Sequence, residues 1–135
     1  MLKKANIVLI EPQDAEILIG KKKPKEIADE ILSMGAETVA VKLGAEGAAA
    51  YSADEEARRP AYKVPIVDVI GAGDAFAAGF ISSLMRGKSL EEALEIGNAA
   101  GALVVTVRGD FENMPSQEDI EKFLAAQRKE TVILR

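Results

Sequence analysis

Val67-Asp68-Val69-Ile70-Gly71-Ala72-Gly73-Asp74-Ala75-Phe76-Ala77-Ala78-Gly79-Phe80 is the stretch on which the reading of this chain turns. It opens apolar and β-branched, passes through Gly71-Ala72-Gly73, and continues as a run of small residues with helical character. Glycines there let the backbone turn tightly and keep side chains out of a ligand's way. A helix that begins just after them aims unpaired N–H groups and the positive end of its dipole back at the loop. That arrangement suits a phosphate or a developing negative charge. Asp74 stands at the mouth of the same anion hole. It is either a general base beside a transferring phosphoryl group or an acidic residue favoured by the helix dipole. Four residues alone leave both readings open.

The rest of the composition narrows the chemistry. The chain has 135 residues, 48% hydrophobic and 29% charged, a globular balance in the size range of one domain. It has no cysteine and no histidine. Disulfides, thiolate metal sites and the commonest general base are therefore excluded, and acid–base work falls to Asp, Glu, Lys or Tyr. A net charge of −5 argues against nucleic acid as a partner. No apolar run is long enough to span a bilayer, and the start lacks a signal-peptide pattern, so a cytoplasmic location and no membrane partner are expected.

Working outward from the central stretch, Ala5–Ile10 reads as a short buried strand stopped by Glu11-Pro12. Pro12 suits the first turn of a helix with Ala15, Ile17 and Leu18 on its apolar side. Lys21-Lys22-Lys23 is a solvated turn, with phosphate binding as its alternative reading. Pro24 opens a second helix with Ile27, Ile31, Leu32 and Met34 inward and Gly35 as its stop. Thr38–Leu43 is a strand, and strand–helix–strand order implies a parallel pair. Gly44-Ala45-Glu46-Gly47 turns into Ala48–Tyr51 as a hairpin. Ser52–Arg59, highly charged, reads as an exposed loop, and Ala61–Pro65 as an extended return.

Beyond Asp74 the helix is apolar nearly all round and ends at Gly87. Ser89-Leu90-Glu91-Glu92 forms a capping box. The helix it opens has Ala93, Gly97, Ala100 and Gly101 on a small-residue side, open to a close neighbour or a flat ligand, and Arg108-Gly109-Asp110 closes it. Pro115-Ser116 caps a last helix with Ile120, Phe123 and Leu124 inward. Thr131–Leu134 reads equally as a terminal strand or a frayed tail.

Lys42-Leu43-Gly44-Ala45-Glu46-Gly47, Asp68–Phe80, Asn98-Ala99-Ala100-Gly101-Ala102 and Arg108-Gly109 occur in one order. This set resembles the C-terminal, nucleotide-binding half of a ribokinase-like carbohydrate kinase. Val107-Arg108-Gly109-Asp110 is similar to the ending found in ketodeoxygluconate kinases. The resemblance implies a single α/β domain over residues 1–135, with three layers, a mostly parallel sheet and flanking helices. It implies phosphoryl transfer from ATP to a sugar or sugar-acid hydroxyl, with Mg2+ and, in many members, a monovalent cation such as K+. On that resemblance Gly71, Ala72 and Gly73 supply anion-hole amides and Asp74 is the base. Lys42, Gly44 and Gly47 match the nucleotide-side loop, and Asn98 borders the adenine. Asp68 and the Ile70 carbonyl match the cation end, and Glu11 and Asp14 the positions that order magnesium. The structural alternatives are a hairpin turn for Gly44 and Gly47 and a satisfied helix amide for Asn98.

The chain departs from the family pattern in three ways. Its length is that of a truncated, half-length member, without the part that holds the sugar. Glu11 and Asp14 replace the family's Asn and Glu, and a carboxylate for an amide adds charge near ATP oxygens unless something compensates it. Val69 replaces a threonine. The expectation is therefore an ATP-binding fragment inactive alone, with a stand-alone or engineered α/β scaffold as the rival and a phosphate-binding module serving another chain as a weaker third. Loss of neighbours would leave Ile7–Ile10 or Val39–Val41 as a bare strand edge. A homodimer is then expected, unless Thr131–Leu134 folds back to cover the edge.

Overall fold

Residue alternation in the second strand sets up the layering. A computed structural model describes residues 6–66, 69–106 and 115–133, the last five by backbone alone. Four strands, β1 (Ile7–Ile10), β2 (Thr38–Lys42), β3 (Ala48–Ser52) and β4 (Glu56–Arg59), form one sheet in the order β1-β2-β3-β4. In β2, Val39 and Val41 point to one face and Ala40 to the other, as a strand's period of two requires. The valine face, with Ala49 and Tyr51 of β3, is covered by α1 (Pro12–Ile19) and α2 (Pro24–Ser33) through Ala15, Ile27, Ala28 and Ile31. The opposite face is lined by Ala40, Ala48 and Ala50. Their small side chains admit Phe76 and Phe80 of α3 (Ala72–Met85) and Leu90, Ala93 and Leu94 of α4 (Leu90–Thr106). A last helix, α5 (Gln117–Ile133), packs Ile120, Phe123 and Leu124 outside α3 and α4. The result is the expected three-layer α/β arrangement.

Sheet direction departs from the expected mostly parallel pattern. β1 and β2 are parallel, with Ile7 opposite Thr38, but β2–β3 and β3–β4 are antiparallel. A crossover through α1 and α2 permits the first pairing, whereas short turns permit only hairpins. Ser52–Arg59 is not a loop throughout. Ser52 and Glu55 close a tight turn, with the Ser52 N–H donating to the Glu55 carbonyl at 2.8 Å, and Glu56–Arg59 pairs along β3. At an edge, charges are compatible with a strand because only alternate residues face inward, and they discourage pairing by another chain. β2 is interior, so of the two strands expected as bare edges only β1 stands at an edge among the described residues.

Three further expectations change. The inward line of α1 is Ala15 and Ile19, one helical turn apart, which turns Ile17 and Leu18 outward at 83% and 72% exposure. Met34 caps α2 beyond the Ile27–Ile31 line and is also exposed. Thr131–Ile133 is neither strand nor frayed tail but continues α5. Local capping follows the sequence. Ser89 and Glu92 exchange hydrogen bonds as a capping box, and Ser116 and Asp119 do the same for α5. Arg108, Gly109 and Asp110 lie outside the described residues. Among the described residues no helix is long and apolar enough to cross a membrane.

Candidate active site

The end of β2, the connector after β4 and the first turn of α3 converge on a cavity of about 660 Å³. Glu11, Lys42, Gly44, Ala45 and Gly47 form one wall, and Ala61, Tyr62, Lys63, Val64 and Ile66 a second. Val69, Ala72, Gly73 and Phe76 close the α3 side, and Gly97, Asn98, Gly101, Ala102 and Val105 the α4 side. The walls are predominantly apolar with few polar groups, the composition of a small-molecule site.

The turn from β2 to β3 is a single 3-10 turn over Gly44–Glu46, closed by the Leu43 N–H to the Gly47 carbonyl at 2.8 Å. Gly47, at φ 103°, leaves so little room that an added Cβ would stand 2.1 Å from the Arg59 carbonyl oxygen. The turn is thus pressed against the chain leaving β4. Asn98, buried in α4, donates from Nδ2 to the Arg59 carbonyl at 3.3 Å and the Pro60 carbonyl at 3.1 Å. Its amide nitrogen therefore holds the connector wall. Arg59 reinforces the same join through Glu91 at 2.6 Å and Glu95 at 3.4 Å. Tyr62 meets Phe123 of α5 edge to face at 5.1 Å. Burial, and secondarily Glu95, raises the Tyr62 phenol above its usual pKa, with Arg128 and Arg59 pulling the other way.

At the other end, α3 starts inside Gly71-Ala72-Gly73 and not after it. Gly71 is the N-cap, in the left-handed region at φ 86°, and Ala72 and Gly73 already belong to the first turn. The Ala72 N–H donates to the Val69 carbonyl at 3.2 Å, so that amide of the anion hole is engaged within the turn. Lys42 Nζ lies 2.8 Å from where a Cβ would stand on Gly73 and 3.7 Å from Glu11 Oε1. Asp74 is exposed in the first turn of α3, beside the cavity and outside its lining.

Glu11, Lys42, Gly44, Gly47, Ala72, Gly73 and Asn98 are thus brought together, while Gly71, Ile70, Asp14 and Asp74 stand outside the lining. Asp68 lies outside the described residues. The connector wall, Tyr62 above all, was missed by sequence reasoning. Its only signal was an aromatic residue inside an extended segment ending at Pro65. Among the described residues no three carboxylates converge to cage a metal. Magnesium carried by phosphates needs only one or two. Glu11, the one carboxylate in the cavity lining among the described residues, would supply such a ligand.

Comparison with known proteins gives this geometry a family. The family model described as "pfkB family carbohydrate kinase" matches residues 1–117. The chain is 44% identical over 116 residues to 2-dehydro-3-deoxygluconokinase of Bacillus subtilis strain 168, covering 85% of the chain and 36% of that protein. With 2-dehydro-3-deoxygluconokinase of Thermoproteus tenax it shares 39% identity over 121 residues, 90% of the chain and 37% of that protein. Among solved structures, an E. coli protein assigned as Ribokinase II, in complex with ATP and Mg2+, superposes with a TM-score of 0.81 at 34% identity. That match covers 90% of the chain and 39% of the other. The chain spans a little over a third of the length of the relatives it matches. With the family model spanning most of its length, and with these relatives in sequence and in fold, the chain belongs to the pfkB family of carbohydrate kinases.

Proposed function

We propose that this chain forms the ATP-binding part of a kinase that phosphorylates a hydroxyl of a sugar acid of the 2-dehydro-3-deoxygluconate type. The observation that carries the reading is the convergence of Lys42, the Gly44–Gly47 turn and the first turn of α3 on one cavity. The names of the two curated relatives and the ATP and Mg2+ bound in the E. coli structure support the ligand and the substrate class. The small-residue wall of Gly97, Gly101 and Ala102 takes the flat base, with Asn98 holding the opposite wall in place. Phosphates lie toward Gly71-Ala72-Gly73, where first-turn amides and the helix dipole favour negative charge.

In the transfer step the sugar oxygen attacks the γ-phosphorus and the bond to the ADP oxygen breaks. The hydroxyl proton passes to the Asp74 carboxylate, which its exposed position leaves open to an incoming sugar. Magnesium carried in with the phosphates would be held by Glu11 at the cavity wall with Asp14 one turn along α1, and would supply neutralising charge to the transferring phosphoryl group. A monovalent cation such as K+ would be held by Asp68 and the Ile70 carbonyl. Residues 1–135 act as one domain. The uncharged β1 edge, Ile7–Ile10, supports pairing with a second copy as a homodimer, whereas β4 carries Glu56, Arg58 and Arg59. The net charge of −5 supports a role without nucleic acid, and a cytoplasmic location belongs to the same reading.

Calorimetric titration with ADP and Mg-ATP tests the reading. Measurable heat and a thermal shift at millimolar nucleotide are expected, and neither appearing overturns it. Asp74→Asn should leave nucleotide affinity unchanged, and residues 1–135 by themselves should give no measurable transfer to 2-dehydro-3-deoxygluconate; steady turnover that Asp74→Asn abolishes would overturn that expectation.

A further inference from the structure

A carboxylate in the wall of a cavity that receives phosphates repels its own ligand unless a cation is placed to neutralise it. Here the cation is Lys42. Its side chain is three-quarters buried, with Nζ 3.7 Å from Glu11 Oε1. The second Glu11 oxygen accepts a hydrogen bond from Gln13 Nε2 at 2.7 Å, which fixes the carboxylate toward the lysine. The same Nζ stands beside Gly73, 2.8 Å from where a Cβ would be, so a side chain there would push the flexible end of the lysine aside. One ammonium thus lies between the carboxylate at the start of α1 and the first turn of α3.

We infer that Lys42 and Glu11 are an exchange pair, in which Lys42 grips the terminal phosphates of the nucleotide and Glu11 is the counterion it holds when no nucleotide is bound. The inference rests on the nucleotide reading above and adds which side chain takes the phosphates and which must release it. An ammonium offers three donors and no acceptor. A polyphosphate, with more charge and more acceptor oxygens than one carboxylate, draws those donors away from Glu11 toward the start of α3. With metal-free phosphates Glu11 therefore weakens binding, while keeping a largely buried cation paired in the free protein. Gly73 is the clearance that lets the ammonium travel between the two.

Metal-free titrations of ADP, AMP and inorganic tripolyphosphate into the wild type, Lys42→Gln, Lys42→Arg, Glu11→Gln and the Lys42→Gln/Glu11→Gln double variant test this, with melting curves confirming that each is folded. Lys42→Gln is expected to lose about tenfold or more in affinity for ADP and tripolyphosphate, the effect of one charged hydrogen bond, with a much smaller loss for AMP. Lys42→Arg should retain more of that affinity than Lys42→Gln. Glu11→Gln should bind ADP and tripolyphosphate several-fold more tightly than wild type, and the gain should vanish in the double variant. Wild-type ADP affinity in Lys42→Gln, equal losses for ADP and AMP, or a gain from Glu11→Gln that survives without Lys42 each overturn the exchange pair. A wild type that binds tripolyphosphate through Lys42 but neither nucleotide supports the pair and overturns the nucleotide reading instead.

Discussion

Gly79 of α3 and Gly97 of α4 meet backbone to backbone: a Cβ on Gly79 would stand 3.2 Å from the Gly97 Cα. The reverse contact is tighter. A Cβ on Gly97 would stand 2.9 Å from two ring carbons of Phe76 and 3.1 Å from its carbonyl oxygen. Phe76 cannot easily yield, since its ring stacks on Phe80 at 5.7 Å and is nearly buried. Gly97→Ala should therefore destabilise the fold by about 1–3 kcal/mol, the usual cost of overpacking. This holds although alanine gains about 1 kcal/mol over glycine in helix propensity. Gly79→Ala meets only α4 backbone, at 3.2 Å and beyond, so α4 must give by a few tenths of an ångström and the loss should be smaller than for Gly97→Ala. Urea unfolding of both variants decides, and equal losses would contradict the packing argument.

Asn98 and Arg59 hold the same wall by different physics. Asn98→Leu leaves the Arg59 and Pro60 carbonyls without the amide that bonds them, at about 1–2 kcal/mol for two such bonds. Arg59→Met breaks the pairs with Glu91 and Glu95, but its side chain is one-third exposed. Its cost should stay near 0–1 kcal/mol and shrink further in high salt. Melting curves at low and high salt separate the two. A larger loss from Arg59→Met would assign the wall to charge and not to the amide.

The cap of α5 should make stability depend on acid. Asp119 accepts from the Ser116 N–H at 3.0 Å, and that bond, then the Ser116 hydroxyl, holds its pKa below the ordinary 3.8. A carboxyl with a lowered folded pKa stabilises the fold above its unfolded value and loses that contribution as pH falls through the folded one. Below about pH 4 the wild type should lose stability more steeply than Asp119→Asn, read as helical ellipticity across the acid range. Parallel acid curves for the two proteins would exclude the cap as the cause.

Local signals carried the sequence reading furthest. The capping boxes at Ser89 and Ser116, the prolines opening α1 and α2, and the alternation through Val39, Ala40 and Val41 are decided by near neighbours, and each is where the residues place it. Glu56–Arg59 was misread because a charged edge strand and a loop share one composition, and only pairing with β3 distinguishes them. Ile17 and Leu18 look inward until the line of Ala15 and Ile19 is fixed by the sheet beneath. In the cavity, the glycine motifs disclosed Lys42, Gly47 and Gly73. Tyr62 escaped notice because its partner, Phe123, is remote in sequence and no local pattern joins them.

The cavity walls come from a hairpin turn, a connector without regular structure and two helices, joined chiefly by Asn98, Gly47 and the Lys42–Gly73 contact. None of these segments forms a concave surface alone. A molecule bound among them ties sequence-distant parts together, so its binding stabilises the folded state of all of them by mass action. Occupancy and foldedness are then linked equilibria: loosening any wall lowers affinity, and filling the cavity suppresses local opening in all of them together.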